Sequence, residues 1–87
     1  MDTKCNDVVG FYRHFKGRYY QLVGVATHSE SLEPMVIYRA MYGEGALWVR
    51  PYAMFFEMVE KDGYCGPRFT RVEQSGLPVE ALTYVEY

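Results

Sequence analysis

Eight glycines and four prolines divide this chain into short stretches, and the stretches between them are rich in Tyr, Phe and Val. Helical periodicity is scarce. Short runs of aromatic and β-branched residues bounded by Gly, Asp-Gly and Pro are the pattern of strands. The spacing predicts strands at Val9–Phe15, closed by Lys16-Gly17, and at Arg18–Thr27, with Gly24 as a bulge position. A polar loop runs from His28 to Glu33, and Pro34 opens the next strand, where a missing N–H is tolerated. Met35–Met41 and Ala46–Arg50 read as a hairpin through Tyr42-Gly43-Glu44-Gly45. A single helical turn is expected near Tyr52–Phe55. A strand follows at Phe56–Lys61, a turn at Asp62-Gly63 and a return at Arg68–Val72.

Five or six short antiparallel strands in 87 residues predict a mainly β domain, a small and strongly bent barrel or roll over residues 8–72. Residues 73–87 form a C-terminal tail that either docks as an extra strand or stays loose. Such a chain buries about 60% of its unfolded surface. Nine Tyr, five Phe and one Trp suit a core this thin, because each ring buries about 150–250 Å². The phenol hydroxyls must then reach a partner or water at the core's edge.

The charge balance, 9 Lys+Arg against 11 Asp+Glu, argues against long duplex nucleic acid or an anionic membrane as partner. No apolar run approaches the roughly 18 residues of a membrane span. The first residues show no apolar secretory region, and Cys5 and Cys65 form no Cys-x-x-Cys pair. Two free thiols in a reducing, cytoplasmic compartment is the expectation.

Recognition chemistry concentrates on the predicted hairpin. With a two- or four-residue loop, Arg39 faces Trp48 and Ile37 faces Arg50. Alternation then places Val36, Tyr38, Ala40, Leu47 and Val49 on a core face and Arg39, Trp48 and Arg50 on an open one. An indole between two guanidiniums suits a flat ring or an anion, because Arg stacks on Trp and still forks to a carboxylate or phosphate. A cross-strand Arg–Trp pair that only shields an edge is the plainer reading. His14, in the aromatic and basic run Tyr12-Arg13-His14-Phe15-Lys16, is a further ligand candidate. So is His28, near Glu30 and Glu33, although a capped, solvated turn is the plainer reading there. No phosphate-loop, dinucleotide or nucleophile-elbow motif occurs. The residues imply neither metal nor cofactor and assign no catalytic residue.

Three functions compete. The first is a non-catalytic binding module for a small anionic or aromatic ligand, namely a nucleotide, a metabolite or a peptide carboxylate. The second is a hydrolase-like enzyme using His14 or His28 with Glu30 or Glu33 as acid and base. The third is a homodimer or larger self-assembled scaffold built on exposed rings.

The run Tyr12-Arg13-His14-Phe15-Lys16-Gly17, then Gly24-Val25-Ala26-Thr27-His28-Ser29-Glu30, Leu32-Glu33-Pro34-Met35-Val36, Tyr38-Arg39-Ala40 and Leu47-Trp48-Val49-Arg50-Pro51 resembles the bacterial domain-of-unknown-function 1653 family. The resemblance spans about Gly10 to Phe69. It implies a small SH3-like β roll and supplies no activity and no site residue. Tyr52-Ala53 and Cys65-Gly66 depart from the family pattern, and the tail after Val72 lies outside it.

Overall fold

The computed structural model describes residues 7–85. Seven strands build two antiparallel sheets. They are β1 (Gly10–His14), β2 (Tyr19–Thr27), β3 (Pro34–Ala40), β4 (Leu47–Pro51), β5 (Met58–Lys61), β6 (Tyr64–Pro67) and β7 (Phe69–Val72). The larger sheet runs β4-β3-β2-β1-β7, and β5 pairs with β6. A helical turn, α1 (Tyr52–Phe55), follows β4, and a second, α2 (Val79–Leu82), lies near the C-terminus. The mainly β expectation holds, with β6 as a strand where the sequence reads as part of the turn before Arg68.

The bulge falls where it was expected. Pairing with β3 shifts by one between Leu22 and Gly24, so Val23 is the extra residue. The β5–β6 hairpin closes through Asp62 and Gly63, both at positive φ. That is the geometry a two-residue turn needs to match the strand twist, and Asp-Gly is among the best sequences for it.

One face of the large sheet carries an aromatic core. Tyr12, Leu22, Val36, Tyr38 and Phe69 point inward from four strands. Phe55 is delivered onto them by α1, and Pro51 ends β4 so that this turn can form. The Phe55 and Phe69 rings stack 4.0 Å apart. Tyr12 and Tyr38 each meet Phe55 edge-on at 5.3 Å.

The opposite face is covered by the C-terminal segment. Leu77 and Ala81 bury there with Met41, and Phe11, Tyr19, Val72 and Tyr84 pack around them. Residues 73–85 therefore dock, as a 3₁₀ turn (Gln74–Gly76) and α2, and not as the extra strand the sequence left open. Turns of three and four residues have no independent stability, so burial of one apolar edge holds them in place.

The expected hairpin register is corrected. Tyr38 faces Trp48, Ile37 faces Val49 and Arg39 faces Leu47. Ala40 N–H donates to Ala46 O at 2.9 Å, and the loop is the five residues 41–45. The cause is Met41. Its N–H donates to Tyr19 O on β2, and its side chain is buried under Leu77 and Ala81, so it cannot pair with Ala46. A shift of one residue moves every β4 side chain to the other face relative to β3. Leu47 and Val49, expected in the core, are 58% and 64% exposed.

Phe55 is fully buried at the centre of the rings. Phe55→Ala is expected to lower the unfolding free energy by about 3–5 kcal/mol. Val79→Ala, at a mostly exposed position, should change it by less than about 0.5 kcal/mol. Urea denaturation of the two variants checks the contrast.

Candidate functional site

The corrected register rebuilds the site. Trp48 and Arg50 lie two residues apart on β4 and share the face of Tyr38 and Val36. Together with Tyr20 and Tyr42 they line a cleft of about 210 Å³. Trp48 is half exposed above it, its ring open to solvent. Arg50 Nε donates to the Tyr38 hydroxyl at 3.3 Å. The Tyr20 and Tyr42 hydroxyls hydrogen-bond to each other at 2.8 Å. Burial, and then the bond to Tyr42, raise the Tyr20 pKa well above the ordinary phenol value, so the Tyr20 hydroxyl is neutral at physiological pH. The Arg18 guanidinium lies 4.3 Å from the centre of the Tyr42 ring.

Arg50 also faces a second, larger cleft of about 520 Å³ between the end of β1 and the small sheet. His14, Lys16, Lys61 and Arg68 bring positive or polar groups to its walls, and Glu57 and Glu60 bring carboxylates. Arg68 is committed. It forms an ion pair with Glu57 and donates from Nε to Met54 O at 3.2 Å. Lys16 is exposed at the rim. Arg50 thus stands between an aromatic cleft and a mainly cationic one, so a ligand held by both would meet a ring platform first and positive charge beyond it.

The His14 ring packs against Phe15, Tyr20 and Phe69 at 4.6, 6.3 and 4.9 Å. Its Nδ1 accepts the Lys16 N–H at 3.1 Å. Burial lowers the His14 pKa, and the positive charges of Arg50, Arg68 and Lys16 lower it further. The ring is therefore a neutral wall of the cleft near pH 7.

The other two sequence candidates lie elsewhere. Arg39 faces Leu47 on the opposite side of the sheet, half-buried, because β4 pairs one residue out of the expected register. His28 organises its own loop. Its Nδ1 accepts the N–H groups of Glu30 and Ser31 at 3.1 and 3.2 Å, and its carbonyl accepts Leu32 N–H at 2.9 Å. Glu33 accepts from the Ser31 hydroxyl and Glu30 from the Ser29 hydroxyl, so both carboxylates face loop serines. The structure thus brings Trp48, Arg50 and His14 to adjoining clefts and separates Arg39 and His28 from them.

Sequence reasoning did not select Tyr20, Lys16 or Arg68 for the site. Tyr20 reaches it because β2 pairs Tyr20 with Ala40, a contact between strands that no local pattern encodes. Among the described residues, no group of three or more His, Cys, Asp or Glu converges. Cys65 is a free, exposed thiol, and Cys5 lies outside the described residues. No helix among the described residues is long and apolar enough to cross a membrane.

Comparison with known proteins gives a family and a fold. A family model described as "Protein of unknown function (DUF1653)" matches residues 10–71. The chain is similar to a solved structure, "Crystal structure of a protein belonging to pfam DUF1653 from Bordetella bronchiseptica", with a TM-score of 0.68 and 31% sequence identity. The match covers 75% of this chain and 86% of that one. No curated protein matches the chain.

His14 supplies a pH test. Its folded pKa lies below the unfolded value of about 6.5, so the unfolded chain binds the proton more readily. The His14 contribution is complete above that value and is lost as pH falls through it towards the folded pKa. Urea midpoints taken between about pH 7.5 and 5 should fall more steeply for the native chain than for His14→Gln. Equal slopes would remove His14 as the source.

Proposed function

The chain belongs to the DUF1653 family, and from its geometry we propose that it is a non-catalytic binding module for a small ligand joining a flat ring to an anionic group. The observation that carries this reading is the placement of Trp48 and Arg50 on one face of β4, over a tyrosine-lined cleft. A half-exposed indole is a stacking surface that accepts any planar ring. The guanidinium two residues away forks to a phosphate or carboxylate. Arg50 opens on the second cleft as well, where Lys16 adds positive charge and His14 a polar wall. Of a nucleotide, a metabolite and a peptide carboxylate, a nucleotide supplies both parts in one small molecule. The acidic balance of the whole chain favours such a compact anion over long duplex nucleic acid.

Binding fits the site better than acid–base catalysis. The larger cleft holds one imidazole and the carboxylates of Glu57 and Glu60, and the first two of these groups are already engaged. Glu57 pairs with Arg68, and His14 Nδ1 accepts a backbone N–H. Those two groups set the shape and potential of the cleft, and the exposed Glu60 carboxylate has no imidazole with a free Nδ1 to act with.

Intrinsic Trp48 fluorescence tests the reading, since this is the chain's one indole. Titration with adenosine monophosphate should give saturable quenching. Adenosine, which lacks the anion, and ribose 5-phosphate, which lacks the ring, should bind at least about tenfold more weakly. Arg50→Ala should weaken nucleotide binding by about 10–100-fold, the loss of a charge-assisted fork. Arg39→Ala, on the other face, should leave it within about twofold. No saturation with any of the three, or equal losses from the two arginine variants, overturns the proposal.

A further inference from the structure

β4 is an edge of the five-stranded sheet, and three consecutive large apolar residues on it are exposed: Leu47 at 58%, Trp48 at 51% and Val49 at 64%. Edge strands are ordinarily shielded by charge, by Pro or by a covering segment, because their open backbone groups recruit another strand. Here the apolar run is followed only by Arg50 and Pro51 at the strand's end.

The backbone pattern says how such a strand could be completed. Ala40 N–H donates to Ala46 O, which makes Ala40 and Ala46 a hydrogen-bonded pair. Alternation along an antiparallel ladder then turns the backbone groups of Trp48 and Arg50 towards β3 and those of Leu47 and Val49 towards the open edge. An added strand must meet Leu47 and Val49 with outward groups of its own.

We infer that a second copy of this chain supplies that strand, β4 against β4 in antiparallel register about Trp48. In this register Leu47 of one copy faces Val49 of the other, twice over, so all four outward N–H and C=O pairs are satisfied. Centring on Val49 instead sets Leu47 against Pro51, which has no N–H to give. The Trp48 register also ends of its own accord, since Pro51 lacks a donor and the Gly45 N–H is already given to Tyr42 O. The side chains agree with the backbone. Leu47 and Val49 form apolar pairs on one face, and the two Trp48 rings meet on the other. Each Arg50 faces Ala46 of the second copy, and the next charged residue along that copy is Glu44, so the guanidiniums do not oppose each other. The strand is thus its own complement in hydrogen bonding, apolarity and charge. The pair joins two sheets into one of ten strands, with an isologous contact of the kind a two-fold dimer requires. This inference stands on the edge strand, and it shares the Trp48 ring with the proposed cleft ligand, since both use the face of Tyr38.

Sedimentation across a wide concentration range tests it. The native chain should reach twice its single-chain mass. Val49→Pro removes an outward N–H and leaves the β3 ladder intact, and Val49→Lys places a charge at the contact; both should remain monomeric with an unchanged circular dichroism spectrum. If the proline variant does not fold, the lysine variant alone decides. Register is read by disulfide capture in a Cys5→Ser, Cys65→Ser background. Trp48→Cys should cross-link under mild oxidation, because facing residues at a non-hydrogen-bonded pair lie about 4.5 Å apart at Cα, within disulfide reach. Val49→Cys should not cross-link. A chain that stays monomeric at every concentration, leaving the edge to a foreign strand, overturns the inference. So does a dimer that survives the lysine substitution, or one cross-linked by Val49→Cys and not by Trp48→Cys.

Discussion

The stack of Phe55 on Phe69 is the contact on which the domain turns. Phe55 arrives from a four-residue helical turn that could not persist alone, and Phe69 from the strand that ends the sheet opposite β4. Their overlap ties the last strand to the segment after β4, across the width of the sheet. Tyr12, Tyr20 and Tyr38 then pack edge-on against one or both rings, the arrangement that ring quadrupoles favour. Each such pair contributes about 0.5–1.5 kcal/mol beyond the area it buries. A thin core built this way has a direct chemical consequence. Every buried tyrosine carries a hydroxyl that must emerge somewhere, and here the hydroxyls emerge on backbone carbonyls or beside Arg50. Tyr12 donates to Val8 O, and Tyr38 accepts from Arg50. The polar lining of the smaller cleft is therefore the outer end of the core itself.

That continuity explains the division of charge around the site. Arg68 is fixed by Glu57 and by a carbonyl, and Arg71, at the other end of the sheet, donates to the carbonyls of Asp7 and Val9. These two guanidiniums hold segments together. Among the described residues Arg50 donates from Nε to a phenol and lies 6.0 Å from the centre of the Phe69 ring, and it lines both clefts. Lys16 and the neutral His14 ring complete a wall whose potential is positive without a concentration of fixed ion pairs.

The strands were legible because their information is local. The bulge beside Gly24, the turn at Asp62-Gly63 and the helical turn after Pro51 each follow from residues that favour one backbone geometry over others. Trp48 and Arg50 were legible as a pair because they sit two apart on one strand, and no error of register separates them. Arg39 was misplaced because its relation to Trp48 depends on the loop between two strands. That loop is set by Met41, whose partners are Tyr19, Leu77 and Ala81, far away in sequence. The tail was ambiguous for a similar reason. Val79 to Leu82 has neither capping residues nor length to announce a helix, and takes its shape from the face it covers.

Tyr84 donates its hydroxyl to Gly43 O at 2.5 Å, and Leu77 and Ala81 close over Met41. The segment after Val72 thereby holds the β3–β4 loop at its first residue and at its middle, although the region shared with the family ends at residue 71. It behaves as a gauge block, fixing the loop length and so deciding which side of the sheet the indole occupies. Heritable change in this peripheral stretch offers a way to move Trp48 and Arg50 to the other side of the sheet while leaving both residues as they are.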